Sequence, residues 1–145
     1  MELTELKTLV ETQFAFLKNM GLRVLDIEKG RVRLMLPFRG NENHVGTVWA
    51  GALFTLAEVP GGILVYSAFD PERFYPVVKE MTIRYLKPAT TDVTVEISMG
   101  DGEISRLEET AVEKGKADFT LDLDVTDARG NVVAQTRGLY QLRKF

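Results

Sequence analysis

The sequence predicts an α+β fold in which a curled antiparallel β-sheet is wrapped around one long buried helix. Between Thr47 and Phe69 every residue is uncharged except Glu58, which lies at the centre of this apolar stretch. Most of the second half of the chain alternates between apolar and polar residues, as strands with one covered face do. A helix that is apolar on every side must be enclosed on every side. We therefore expect the sheet to curl around the helix and a second copy of the chain to cover the remainder.

Length and composition restrict the classes of protein to consider. The chain has 145 residues, and we expect one domain over residues 1–145. The net charge of −3 argues against a nucleic-acid-binding protein, which normally carries a basic surface. With no cysteine and a single histidine, neither a disulfide framework nor a transition-metal site is expected.

The N-terminal segment and the central apolar stretch indicate where the protein is located. The first residues show no basic segment followed by an apolar one, so no signal peptide is expected and we predict a cytoplasmic protein. The apolar stretch is long enough to span a membrane. However, Glu58 at its centre and Pro60 shortly after it argue against insertion, and we expect no membrane partner.

The first half of the chain is predicted to hold two helices and a hairpin. Apolar residues recur at spacings of three and four over residues 1–20, which predicts a single amphipathic helix that ends at Gly21. Two short strands, Arg23–Glu28 and Arg31–Pro37, are predicted to form a hairpin. A loop rich in glycine and asparagine then leads into the central buried helix, residues 47–68.

The main strands are predicted within residues 75–143. One segment, Glu103–Lys114, does not alternate and is predicted to be a helix, with Asp101 as its cap and Gly115 as its stop. Together with the hairpin this predicts five or six antiparallel strands. The strands of the second half are expected at Val77–Leu86, Thr91–Met99, Asp118–Asp127 and Val132–Arg143.

Several short motifs resemble those of hotdog-fold thioesterases, in order and spacing, over about residues 20–143. The chain is most similar to acyl-CoA thioesterases of the phenylacetate-pathway type and to the thioesterase-like C-terminal domain of some acetyltransferases. The family has His-Gly-Gly where this chain has Trp49-Ala50-Gly51, and usually aspartate at the position of Glu58. The other matching positions are Asn43, Gly46, Leu56-Ala57, Tyr85-Leu86-Lys87-Pro88 and Gly115-Lys116.

This resemblance implies hydrolysis of an acyl-CoA or a related thioester, with coenzyme A as part of the substrate and no other cofactor. Glu58 would activate water or attack directly, the Gly51 backbone amide would polarise the carbonyl, and Asn43 would position the reactants. From local sequence alone, Glu58 could equally be a buried carboxylate with a structural partner. Gly51 and Glu58 are two helical turns apart, about 10 Å along the axis. The resemblance implies that they come from different subunits of a homodimer or tetramer.

Further residues are candidates for substrate binding, each with an ordinary structural alternative. Trp49 would line the acyl pocket, and Lys79 falls on the apolar side of its predicted strand, from which it would pair with Glu58. The coenzyme A phosphates would be bound by basic residues at strand ends. The candidates in the loop are His44 and Gly46, and the basic candidates for phosphate are Arg84, Lys87 and Lys116.

Two other functions are also compatible with these residues. Hotdog-fold dehydratases and hydratases pair a loop histidine with a helix carboxylate, and His44 with Glu58 could form such a pair. Alternatively, Trp49 in place of the family histidine is consistent with a module that binds acyl-CoA without turning it over. Acyl groups of any length, aromatic or aliphatic, carried by coenzyme A or by a carrier protein, are all compatible with the sequence.

Overall fold

Six antiparallel strands form one curled sheet around the third of four helices in the computed structural model, which describes all residues 1–145. The strands follow the order β1-β2-β4-β5-β6-β3 across the sheet, so β1 and β3 are its edges. This confirms the predicted α+β hotdog fold. The helices are α1 Leu3–Thr12, α2 Ala15–Met20, α3 Ala50–Ala68 and α4 Asp101–Lys114, and the strands are β1 Arg23–Glu28, β2 Arg31–Leu36, β3 Phe74–Tyr85, β4 Val93–Ser98, β5 Lys116–Asp127 and β6 Val132–Lys144.

The central helix α3 is the predicted apolar helix, and it packs against strands β2 to β6. It begins at Ala50, three residues later than predicted, and continues through Pro60 to Ala68. By length and composition α3 could cross a membrane, but half of its most apolar window is buried inside the fold. Its burial against the sheet therefore identifies α3 as a core helix.

The predicted single helix at the N-terminus is wrong, because two short helices are present. The chain leaves helical geometry at Phe14, whose φ of −84° and ψ of 98° are extended. The first helix is fastened to the edge strand β1 by two side chains. Lys7 Nζ donates to the Val24 carbonyl at 2.6 Å, and Glu11 Oε1 accepts from the Val24 N–H at 2.8 Å. A break after α1 lets the second helix turn so that Leu17 also reaches the core.

Edge strand β3 carries the largest departure from the predicted alternation. Val78 is opposite Tyr140 on β6, whereas Glu80 is opposite the adjacent Leu139, so Lys79 is an extra residue in a β-bulge. The bulge exchanges the two faces of the strand. The register places Phe74, Pro76 and Val78 on the α3 side before it, and Met81, Ile83 and Tyr85 on the α3 side after it.

The sheet opens between β4 and β5, which pair through two residues each, and α4 packs into this region. Helix α4 begins at Asp101, two residues before the predicted start, so the predicted Asp101 cap is wrong and Gly100 is the N-cap. Gly115 ends the helix with a left-handed φ of 82°, as predicted for a glycine stop. All four strands predicted in the second half are present, with ends that differ from the prediction by at most three residues.

Candidate active site

The curled sheet does not close completely around α3, and one face of the helix borders a cavity of about 690 Å³. The floor of this cavity is a stripe of α3 residues spaced three and four apart, with Glu58 near its middle. The two N-terminal helices form the roof, and the bulged part of β3 forms a wall. The floor consists of Phe54, Thr55, Glu58, Val59, Gly62, Ile63 and Tyr66, the roof of Leu6, Leu9, Val10, Phe14, Phe16 and Leu17, and the wall of Val78, Lys79, Glu80 and Met81.

Glu58 is half-buried, and its carboxylate makes no hydrogen bond or ion pair with another part of the chain. The expected structural partner of a buried carboxylate is therefore missing. Burial disfavours the charged form and raises the pKa of Glu58 above its usual range. An unpaired carboxyl group that opens on an apolar cavity is free to accept a proton from a bound water molecule.

The backbone of Glu58 is held by Tyr140, a residue that the sequence does not single out. The Tyr140 hydroxyl donates to the Glu58 carbonyl oxygen at 3.0 Å, and its ring stacks on Phe119 with centroids 5.5 Å apart. Gly61 on α3 and Gly138 on β6 make room for this ring, because a Cβ at either position would collide with it. Burial, with a smaller contribution from the Glu58 charge, raises the pKa of the Tyr140 phenol. The sequence signal for this contact is a glycine in the interior of a helix and another in a strand.

The N-terminus of α3 presents an unpaired backbone donor. Gly51 is the second residue of the helix, and its N–H makes no hydrogen bond within the chain. Such a donor at the positive end of the helix dipole suits a developing negative charge. The indole of Trp49 lies over Gly51, at a distance of 2.6 Å from a Cβ built there, and Trp49 remains 54% exposed. Tyr85 donates its hydroxyl to the Ala50 carbonyl at 3.0 Å.

The loop before α3 is organised by Asn43. Its side-chain oxygen accepts from the N–H groups of Val45 and Thr47 at 3.0 Å each, and its Nδ2 donates to Thr47 Oγ1 at 2.8 Å. Gly46 makes the turn with a φ of 81°. The amide of Asn43 is thus committed to its own loop. His44 is exposed and is not part of the cavity wall, so one chain does not bring it together with Glu58.

The predicted pairing of Lys79 with Glu58 is wrong. Lys79 Nζ lies 3.5 Å from Asp118 Oδ2, on the outer face of the sheet. The reason is the bulge, which takes Lys79 out of the alternation that placed it on the apolar side. Lys79 still contributes to the rim of the cavity.

The three basic residues considered for phosphate binding do not converge in one chain. Lys87 follows β3 and donates its N–H to the Val133 carbonyl, whereas Lys116 is opposite Arg143 at the other end of β6. Ten strand residues separate those two partners, or about 33 Å. Arg84 is exposed on the outer face of the sheet.

No group of three or more His, Cys, Asp or Glu side chains is placed to hold a metal ion.

The fold is shared with several proteins of known structure, and nearly half of the sequence is shared with one of them. PA5026 from Pseudomonas aeruginosa, described as a protein of unknown function and probable thioesterase, is 48% identical over 100% of this chain and 97% of that chain, with a TM-score of 0.96. Two more distant structures share the fold. They are OLEI01261 from Chlorobaculum tepidum, of unknown function (17% identity, 99% of this chain and 94% of that chain, TM-score 0.82), and thioesterase HI1161 from Haemophilus influenzae (13% identity, 99% and 92%, TM-score 0.76).

No curated protein matches the chain. The resemblance to hotdog-fold thioesterases is confirmed, because the fold is shared and PA5026, at 48% identity, is described as a probable thioesterase. The model of the family described as "Domain of unknown function (DUF4442)" matches residues 4–140. The chain therefore belongs to the DUF4442 family.

Proposed function

We propose that this protein hydrolyses acyl thioesters, with Glu58 as the general base. The observation that carries this proposal is the Glu58 carboxylate, which is unpaired, has a raised pKa and opens on a large apolar cavity. The relative PA5026, described as a probable thioesterase, supports the same reaction class. An apolar cavity next to a carboxylate suits a substrate with an apolar acyl group and a reactive carbonyl.

In the proposed reaction, Glu58 takes a proton from a water molecule while the water oxygen attacks the thioester carbonyl. The carbonyl oxygen becomes an oxyanion, which accepts a hydrogen bond from a Gly51 N–H. The C–S bond then breaks, the thiolate receives the proton from Glu58, and a carboxylic acid and a thiol are released. Tyr140 holds the carbonyl of Glu58 and so fixes the helix at the point from which the carboxylate projects.

The Gly51 donor would come from a second copy of the chain, because Gly51 and Glu58 of one chain are about 10 Å apart along the helix axis. Edge strand β3 is paired on one side by β6 and has no partner on the other. Exposed apolar side chains accompany this free edge at the start of α3 and the end of β3. They are Trp49, Tyr85 and Leu86. A homodimer that pairs through β3 would cover them and remove the open sheet edge.

The proposed substrate is an acyl-CoA in the cytoplasm. The carbonyl would lie between Glu58 of one subunit and Gly51 of the other, and the coenzyme would leave the cavity towards the exposed residues Arg84 and Lys87. Lysine and arginine are the usual phosphate partners. The chain itself would need no cofactor, because the coenzyme A arrives with the substrate.

One observation favours a second candidate, a module that binds acyl thioesters without hydrolysing them. Trp49 stands in place of the family histidine, and its indole lies 2.6 Å from a Cβ built on Gly51, the residue that would supply the oxyanion donor. Nothing in the structure similarly favours the dehydratase alternative, since His44 is exposed and outside the cavity.

Release of thiol from a panel of acyl-CoAs, followed with a thiol-trapping dye, tests hydrolysis directly. The chain has no cysteine, so the protein adds no background signal. Glu58→Ala should lower kcat/KM by about a hundred- to ten-thousand-fold, as expected for a lost acid–base group. Glu109→Ala, at an exposed position on α4, is the matched control and should leave kcat/KM unchanged. Retained activity in a folded Glu58→Ala protein would refute the role of Glu58, and binding without release by the unaltered protein would favour the second candidate.

A further inference from the structure

The cavity is asymmetric about Glu58. Towards the start of α3, the floor ends at Phe54, about one turn from the helix N-terminus, which is the polar end of α3. Towards the end of α3, the floor consists of Gly62, Ile63 and Tyr66, with no charged side chain among them. The carbonyl end of a substrate therefore belongs near Glu58, and the apolar end of the acyl group belongs towards Tyr66.

The length of this apolar arm follows from helix geometry. Glu58 and Tyr66 are eight residues apart, so the arm extends for about 12 Å at 1.5 Å per residue. A saturated chain with C–C bonds of about 1.5 Å and bond angles near 111° advances about 1.25 Å per carbon. The arm therefore has the length of about nine or ten carbons.

Gly62 keeps this arm open. It lies one turn beyond Glu58 on the cavity floor, and a Cβ built there meets only Pro76 Cγ, at 3.9 Å, which is an ordinary contact. Any larger side chain at this position would extend into the cavity. The neighbouring glycine, Gly61, has a different reason to be small, because it faces the Tyr140 ring.

From these features we infer that the protein is selective for straight-chain acyl groups of about nine or ten carbons, that Tyr66 sets the length limit, and that Gly62 leaves the arm open up to it. This inference rests on the proposed function, since it places the reacting carbonyl at Glu58. The tail lies on the α3 floor beneath Leu6, Leu17 and Phe16 of the N-terminal helices. Those helices are thus the roof of the inferred acyl-binding arm, and Tyr66, the last α3 residue that lines the cavity, is inferred to be its end wall.

Binding of S-alkyl pantetheine thioethers with chains of two to sixteen carbons, measured by calorimetry, tests the inference without requiring turnover. Pantetheine is the arm shared by coenzyme A and acyl carrier proteins, so the probe does not presuppose the carrier. Affinity should rise up to about fourfold for each added methylene while the chain fits the arm. The increase should stop near ten carbons, and a phenylacetyl-like arm should bind more weakly than a decyl arm.

Two substitutions should move this limit in opposite directions. Gly62→Leu blocks the arm one turn from Glu58, or about 6 Å, which leaves room for about five carbons. Tyr66→Ala removes the end wall and should extend the limit beyond ten carbons. Gly102→Leu is the matched control, because Gly102 is a helical glycine on α4 with nothing within 4 Å of its built Cβ.

The outcomes separate this inference from the proposed reaction. A length limit that moves with both variants supports the inference, whether or not the protein hydrolyses any acyl-CoA. Affinity that does not depend on chain length, or a limit that stays in place in folded Gly62→Leu and Tyr66→Ala proteins, overturns it. Hydrolysis of acyl-CoAs with an unchanged limit would leave the reaction standing and refute the position of the tail.

Discussion

At the scale of single residues, Glu58 is the feature from which the site was predicted, and its environment has a thermodynamic consequence. Burial raises its pKa above the ordinary value of 4.5. Between the ordinary and the raised pKa, the native state binds more protons than the unfolded state. The free energy of unfolding therefore falls as pH rises through this interval, and the ionised carboxylate destabilises the fold above it.

Glu58→Gln should consequently raise the melting temperature at neutral pH, because glutamine has nearly the same shape and carries no charge to desolvate. The difference from the unaltered protein should shrink as pH falls towards the ordinary carboxyl pKa, where Glu58 becomes protonated. Thermal unfolding across pH measures this directly. Glu109→Gln, on the exposed face of α4, should produce no comparable pH-dependent difference. An equally stable or less stable Glu58→Gln protein at neutral pH would mean that a partner compensates the buried charge.

The raised pKa of Glu58 should also appear in the reaction. A general base must be ionised, so kcat/KM should fall as pH drops through the pKa of Glu58 in the free enzyme. Because burial raises that pKa, the acidic limb of the profile should lie at a higher pH than the ordinary glutamate pKa of 4.5. A pH profile of thiol release with one acyl-CoA gives the midpoint. A limb at or below the usual range would contradict a desolvated base.

At the scale of elements, α3 carries two adjacent glycines with different roles, and a matched pair of substitutions separates them. Gly61→Ala should destabilise the protein by about 1–3 kcal/mol, the usual cost of overpacking, because its Cβ collides with the Tyr140 ring. Gly62→Ala has room for its Cβ and should stabilise the helix by about 0.5–1 kcal/mol. Urea unfolding of the two variants should give shifts of opposite sign. Equal shifts would show that Tyr140 does not pack on Gly61 as described.

Elements with a strong repeating pattern were predictable, and those shaped by a tertiary contact were not. The alternation of β5 and the apolar length of α3 identified both elements, because each pattern reports the side that is buried. Apolar residues recur at helical spacing throughout residues 3–20, on both sides of Phe14. The break between α1 and α2 therefore could not be seen in the sequence. The bulge at Lys79 was likewise invisible, since an extra residue in one strand is defined by the register of its neighbour β6.

At the scale of the whole molecule, the curled sheet was predictable because a helix that is apolar on all sides needs enclosure. Some residues of the candidate site could be predicted from the sequence, and others could not. Glu58 stood out as a lone charge in an apolar stretch, whereas Tyr140 is 82 residues away from it in sequence and was not identified. The predicted second copy was expected to cover all of the remaining face of α3. The structure shows that the N-terminal helices cover part of it, around the cavity.

The whole molecule also decides whether the two proposed groups act together. Gly51→Pro removes the backbone N–H near the start of the helix, where proline is tolerated, although its Cβ must displace the exposed Trp49 indole, and Glu58→Ala removes the base. Each variant alone should be nearly inactive. If one site takes Gly51 from one subunit and Glu58 from its partner, a mixed dimer contains one site with both defects and one intact site. An equal mixture that exchanges subunits at random should therefore recover about a quarter of the unaltered activity, since about half of the dimers are mixed.

Thiol release after unfolding and refolding the two variants together measures this recovery, and refolding each variant alone is the control.

Leu86→Lys provides an independent check of the interface, because it places a charge where an exposed leucine, 46% accessible, would be buried between copies. Burial of a leucine contributes about 1.5–3 kcal/mol, so dimer affinity should fall by about one to two orders of magnitude, as measured by sedimentation. Recovery that disappears when Leu86→Lys is added to both variants would place the shared site at the β3 edge. No recovery in a mixture that forms mixed dimers would instead require that Gly51 and Glu58 serve the reaction within a single chain, or that Gly51 has no part in it.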